Sequence, residues 1–262
     1  MKTYSDLFQD NDLKMWIDLS TYCNAACPQC HRTNPDGLGK AKWLPLIQWS
    51  LEDFKKIYPP HLISKVRAFD ICGTWGDPVM CKDIAEICYY IIENSKATIA
   101  IFTNGSFRNA DWWWMLGAKC KDRLVVTFDV DGSTQEIHQL YRQKTNLKLI
   151  LENMEALSDT PAFIRVFTVI FKHNQHDLYN IAKLVKDNGA YSIYYVASNR
   201  FHRKGISTFP FTVNGQEQEL VKSEYDDYNK LFWSDIWLGN KGDDMPLQKI
   251  KSAIESLNAT KQ

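Results

Sequence analysis

Residues 14–30 read Lys-Met-Trp-Ile-Asp-Leu-Ser-Thr-Tyr-Cys-Asn-Ala-Ala-Cys-Pro-Gln-Cys, and the rest of the chain takes its meaning from this stretch. Over residues 14–20 apolar and polar side chains alternate, the two-residue period of a half-buried strand. The strand runs directly into Cys23, Cys27 and Cys30, which therefore fall on the loop at its C-terminal end. Three thiols within eight residues can converge on one soft-metal site once deprotonated. Scattered core cysteines would not bunch in this way.

Outward from that loop the same unit repeats. Ser50 is a candidate N-cap, followed by Glu52 and Asp53, for a short helix through Ile57 that Pro59 and Pro60 end. Strands are predicted over residues 67–72, 98–102, 124–128, 163–171 and 191–196, and helices over 83–94, 110–116, 147–157 and 177–187. Six βα-like units emerge, and such alternation argues for a parallel sheet covered on both faces, either a barrel or an open doubly wound sheet. Each chemically suggestive segment, residues 23–30, 73–78, 103–105 and 129–132, follows a predicted strand, so in a barrel all would share one face. After Gly205 the rhythm stops. A strand over 209–214, an aromatic-bearing helix over 216–232 and a helix over 245–257 make a tail expected to dock on the barrel, dividing the chain into 1–205 and 206–262. Trp112, Trp113 and Trp114 are adjacent and cannot all share one helix face.

Composition sets the bounds. The 262 residues are 45% hydrophobic and 24% charged, ordinary for a globular chain and too apolar for disorder. Thirty-one basic and 31 acidic residues cancel, so no overall field favours nucleic acid or an anionic membrane. The polar, acidic start is unlike a secretory leader, and no apolar run approaches the ~20 residues that span a bilayer, so a cytoplasmic location is expected. Seven cysteines, three of them clustered, argue against a disulfide framework and for metal binding.

Three thiolates can hold three irons of a four-iron cluster and leave the fourth to a small-molecule chelate. A zinc site is the competing use, with His31 completing a Cys₃His set in a non-catalytic interaction module. Unliganded core cysteines are the third. Cys72, Cys81, Cys88 and Cys120 lack ligand spacing and read as core or incidental thiols.

Cys-x₃-Cys-x₂-Cys after the first strand of a βα barrel resembles the radical S-adenosylmethionine (radical SAM) enzymes, over about residues 14–200. The resemblance implies an α/β fold, a partial (βα)₆ TIM-like barrel with a short helical C-terminal tail, and a 4Fe-4S cluster on Cys23, Cys27 and Cys30. Gly73-Thr-Trp-Gly76-Asp77-Pro78 is similar to the family's glycine-rich turn for the methionyl amino group, with Asp for the usual Glu; glycine admits close backbone approach and a carboxylate accepts from ammonium. Thr103-Asn104-Gly105 resembles the family's Thr-Asn-Gly. Asp129 stands at the Ser of a Ser-x-Asp-Gly motif and would bridge ribose hydroxyls, Arg142 of Tyr141-Arg142 would meet the cofactor carboxylate, and Val169 would line the adenine. Gln29 replaces the usual aromatic residue before the third cysteine, which leaves backbone and aliphatic contacts for the adenine.

The family implies reductive cleavage of S-adenosylmethionine and hydrogen abstraction from a substrate, with a one-electron reductant such as flavodoxin or ferredoxin. The motifs most resemble barrels that modify peptides or proteins; a small metabolite is the second expectation, and neither nucleic acid nor membrane is expected as a partner. No catalytic acid or base is assigned. Ser198, Asn199, Arg200 and His202 follow the sixth strand and are candidates for substrate contact. Tyr225, Tyr228, Phe232, Trp233 and Trp237 would line a peptide groove or pack on the barrel, and residues 172–176 read as a solvated loop rather than a two-histidine metal site. Family barrels often carry a cysteine-rich C-terminal extension, yet no cysteine follows Cys120.

Overall fold

The computed structural model describes residues 13–198, 200–201, 206–225, 235–239 and 245–259. Six parallel strands follow one another in chain order: β1 (Leu13–Ile17), β2 (Val66–Ile71), β3 (Thr98–Thr103), β4 (Leu124–Asp129), β5 (Phe163–Ile170) and β6 (Ser192–Ala197). A short β9 (Ile236–Trp237) closes the far edge antiparallel to β6. β1 and β9 are the two ends of the order, so the sheet curls without closing, a partial barrel.

Helices cover the outside: α1 (Leu51–Ile57), α2 (Pro60–Ile63), α3 (Ile84–Asn94), α4 (Ala110–Cys120), α5 (Gln135–Gln139), α6 (Leu147–Ser158) and α7 (Leu178–Asp187). The two-residue period of the strands sorts their side chains between two environments. Ile99, Ile101, Val126, Phe128, Val166, Ile193 and Tyr195 point to the helices and are fully buried. Their neighbours Ala100, Phe102, Val125, Phe167, Val169 and Val196 face the inside and are only half-buried. The sheet is therefore packed on one face and hollow on the other, where the sequence pattern led us to expect cover on both.

Local signals set the elements. Ser50 and Asp53 form a reciprocal capping box on α1. Pro60 does more than end α1: it sits at the first position of α2, where its missing N–H costs nothing. In α4 only Trp113 of the tryptophan run is fully buried, while Trp114 is exposed.

The tail differs from expectation. The strand over 209–214 is present as β7 (Thr208–Val213), but residues at the start of the expected helix 216–232 form β8 (Gln216–Val221), its antiparallel partner. Asn214 and Gly215 both have positive φ, 51° and 77°, the two-residue hairpin turn that Asn-Gly favours. That local signal outweighs the aromatic spacing; the later part of the expected helix lies outside the described residues. α8 (Met245–Ala259) follows. Phe211 and Leu220 of the hairpin join Ala25, Ala26, Cys27, Leu38, Tyr141 and Phe171 in a second apolar cluster, separate from the barrel core. Among the described residues no helix is long and apolar enough to cross a membrane.

Candidate functional site

Cys23, Cys27 and Cys30 lie on the loop after β1 and border a cavity of about 140 Å³. Gly73, Gly76, Asp77, Asn104, Asp129 and Arg142 border the same cavity, and Val169 lines the adjoining hollow of about 480 Å³. All ten residues named from the sequence thus meet at the C-terminal ends of β1 to β5. A wider hollow of about 730 Å³ between α5 and α6 carries no thiol.

Burial, with Asp77 and Cys27 adding to it, holds the Cys23 thiol far above its usual range. Burial also pushes Cys27 up to about 12, although the Arg142 guanidinium opposes it. Among the described residues no three ligating side chains converge closely enough to hold a single ion. Three thiols bordering one cavity fit the three protein ligands of a four-iron cluster. His31 is exposed and stands beside the Trp75 ring, 6.3 Å between centroids, and is not part of the cavity wall.

The glycine-rich turn locks against the cysteine loop. A Cβ on Gly76 would come within 2.2 Å of the Ser20 carbonyl, and Asp77 N–H donates to the Tyr22 carbonyl at 2.7 Å. The Asp77 carboxylate is engaged by the protein itself: it accepts from Thr103 Oγ1 at 2.9 Å, Asn104 N at 2.8 Å and Val79 N at 3.1 Å. Burial raises its pKa and these bonds hold it down. Asn104 also donates to Asn24 Oδ1 at 3.0 Å and reaches Cys23 Sγ at 3.8 Å. Asp77 and Asn104 therefore tie the ends of β1, β2 and β3 together. Gly73, exposed on both cavities, leaves its backbone open to a ligand.

Asp129 and Arg142, read separately from the sequence, are partners. Arg142 Nη1 lies 2.8 Å from Asp129 Oδ2 while its Nε bonds Asp131. Burial drives the Asp129 carboxyl up to about 7 against the pull of Arg142. Asp131, fully buried, also accepts from Val169 N at 2.6 Å. Its own N–H donates to His138 Nδ1 at 3.2 Å, which leaves the proton of a neutral ring on Nε2, 2.9 Å from Thr145 Oγ1. Burial lowers His138 to about 3. Asn174 donates to the carbonyls of Asp131 and Val169, both at 2.9 Å. Sequence reading missed these supports. Asp131 stood inside the quoted motif, but nothing local marked His138, and Asn174 sat in the 172–176 run read as solvated loop, whereas it is fully buried.

Beyond β6, Ser198 and Arg200 line the hollow of about 480 Å³, and Asn199 and His202 lie outside the described residues. Trp16, Phe102, Phe167 and Val196 complete its wall, unforeseen because strand residues of either face look alike in sequence. Cys72 is on this wall too, so it is not a core thiol, while Cys81, Cys88 and Cys120 are buried as expected. Tyr225 is buried and donates to the Gln175 carbonyl at 3.3 Å; Trp237 is exposed beside Tyr191; Tyr228, Phe232 and Trp233 lie outside the described residues. His173 is stacked on Phe171 and burial lowers it to about 4.

The chain resembles the radical SAM enzymes in fold, an open six-strand βα barrel. It is 26% identical over 210 residues to the antilisterial bacteriocin subtilosin biosynthesis protein AlbA of Bacillus subtilis, covering 79% of this chain and 44% of AlbA. The chain therefore spans less than half the length of this relative. Among solved structures it is similar to Streptococcus suis SuiB bound to S-adenosylmethionine, with a TM-score of 0.59 at 16% identity over 82% of this chain and 44% of SuiB. It is also similar to anSMEcpe with bound AdoMet, TM-score 0.52 at 15% identity over 70% of this chain and 50% of that one. No protein-family profile matches the chain.

Proposed function

We propose that this chain is the catalytic barrel of a radical SAM enzyme acting on a peptide or protein. The observation that carries the reading is the gathering of Cys23, Cys27 and Cys30 with Gly73, Asn104, Asp129 and Arg142 around one cavity. Cys23, Cys27 and Cys30 would hold a 4Fe-4S cluster there, and the cluster would supply the one-electron reduction that cleaves S-adenosylmethionine and starts hydrogen abstraction from the substrate.

The chain's own residues position and enclose. The three thiols hold the cluster, the exposed backbone at Gly73 meets the methionyl amino group, and Arg142 meets its carboxylate by planar pairing. Asp129, already beside Arg142, is placed for the ribose hydroxyls, and Val169 and Val196 flank the base. Trp16, Phe102 and Phe167 leave an aromatic approach from the hollow face of the sheet, suited to a side chain presented by a peptide. SuiB has been solved with its precursor peptide SuiA, and anSMEcpe with a peptide, which supports a peptide substrate here. The electron comes from a flavodoxin or ferredoxin.

The test is anaerobic reconstitution with iron and sulfide, then dithionite and S-adenosylmethionine. The chain should bind about four irons and release 5′-deoxyadenosine, and Cys27→Ala should release none. A colourless protein that retains zinc and leaves S-adenosylmethionine intact would defeat the proposal.

A further inference from the structure

Residues 43–47 read Trp-Leu-Pro-Leu-Ile, and of the five only Leu44 is buried. Trp43, Leu46 and Ile47 are 62%, 47% and 55% exposed, and Pro45 between them is exposed too. Single exposed apolar side chains are ordinary, whereas a run of them marks an interaction surface. This run is bolted to the cysteine loop. Thr21, two residues before Cys23, donates from Oγ1 to the Pro45 carbonyl at 2.7 Å, accepts from Ile47 N at 2.8 Å, and donates its own N–H to the Ile47 carbonyl at 2.9 Å. Trp43 meets the Trp75 ring edge-on at 5.3 Å, and Trp75 lies beside His31, the neighbour of Cys30. Buried Arg32 fastens the same corner, donating to the carbonyls of Trp75, Ala25 and Thr21.

The three thiols border the cavities, while Trp43, Leu46, Ile47 and Trp75 line neither, so the run covers another side of the same segment. A substrate has to enter the hollow, which this run does not border. A partner that delivers only electrons has no such need; it has to come close to the thiols. Charge narrows its chemistry. Lys40 and Lys42 are exposed on the approach to Trp43, His31 is exposed beside Trp75, and Asp36 is the only acidic residue of 31–47. In a chain without net charge, a basic rim round an apolar, aromatic centre is the layout of a protein docking site and favours an acidic partner.

We infer that residues 43–47 with Trp75 form the docking surface for the reductant, a small acidic one-electron carrier protein. This rests on the radical SAM reading above. The carrier is oxidised by one electron and the cluster on the three thiols is reduced by one; no atom or proton passes between them.

The experiment sets two kinds of reductant against each other on the reconstituted protein. Dithionite needs no docking surface, whereas a flavodoxin or a ferredoxin kept reduced by its reductase does. Carrier binding is followed by the fluorescence anisotropy of labelled flavodoxin or ferredoxin, and 5′-deoxyadenosine is measured with each reductant. Trp43→Ala should weaken carrier binding about tenfold and lower carrier-driven release, with iron content and dithionite-driven release unchanged. Lys42→Glu should bind the carrier more slowly and lose part of the salt dependence, and it carries the test should Trp43→Ala lose iron. Trp114→Ala, at an exposed tryptophan of α4, should change nothing. Undiminished carrier binding in Trp43→Ala and Lys42→Glu overturns the inference, as does an equal loss in Trp114→Ala. A concentration-dependent dimer that Trp43→Ala dissociates would mean that a second copy covers the run, and overturns it as well. Release with dithionite but no binding of either carrier to the unsubstituted protein defeats the inference alone. Iron uptake with no release even with dithionite defeats the radical SAM reading, and the inference falls with it.

Discussion

Arg142 satisfies two carboxylates at once, and no other cation is bonded to Asp129 or Asp131 among the described residues. A planar fork can serve both; an ammonium is a single point of charge. Arg142→Lys should therefore keep the charge, lose one of the two bonds and destabilise the fold by about 1–3 kcal/mol, read as a shift in urea midpoint, and S-adenosylmethionine binding should fall with it. His138 gives a sign-definite pH effect. Its folded pKa is about 3 against an ordinary 6.5, lowered by burial and by Arg142. Between those values the unfolded chain binds a proton that the native state refuses, so stability is full above 6.5 and is lost as the pH falls toward 3. Asp129, raised to about 7, acts in the opposite direction over the same range, so the His138 part is read as a difference. Between pH 6.5 and pH 4 the melting temperature of His138→Gln should fall less, or rise more, than that of the unsubstituted protein, and identical pH profiles would exclude His138.

At the scale of elements, six strands and the helices between them were legible because each obeys a local rule: two-residue alternation, an Ser50 cap, or an apolar helical stripe such as Ile84, Ile87, Cys88 and Ile91. That the site residues gather at one cavity was legible for a related reason, since most follow strand ends in motifs whose order resembles a known family's. What escaped the sequence depends on partners far along the chain. Cys72, read as a core or incidental thiol, and Phe102, read only as the end of a strand, both line the hollow, because nothing local tells the hollow face from the packed one. β8 escaped because its Gln-Glu-Gln-Glu opening has no strand signature of its own; the Asn214-Gly215 turn before it does. That turn tests the assignment. Gly215→Ala forces a side chain onto a residue with φ of 77° in open space, so strain alone acts, and stability should fall by about 1 kcal/mol. Gly76→Ala acts through contact, with a Cβ 2.2 Å from the Ser20 carbonyl, and should reduce iron incorporation by displacing the cysteine loop.

For the whole molecule, the two apolar clusters imply two levels of stability. The barrel core runs through β1 to β6 and their helices, whereas the cysteine loop shares its cluster with Tyr141, Phe171, Phe201 and the hairpin. Loop and hairpin are joined by the bond from Thr212 N–H to the Pro35 carbonyl and by the packing of Phe211 and Leu220 with Cys27 and Leu38. Units with few buried contacts open below the global unfolding free energy, and units that share contacts open together. Hydrogen exchange followed by mass spectrometry should therefore show residues 21–44 and 208–221 opening as one unit in the iron-free protein, with β2 to β5 protected far longer. A ligand that binds only the closed state adds its binding free energy to that state's stability. Reconstitution with iron and sulfide should accordingly slow exchange in the loop and the hairpin in parallel. A hairpin that exchanges at the same rate with and without iron would show that it does not support the cysteine loop.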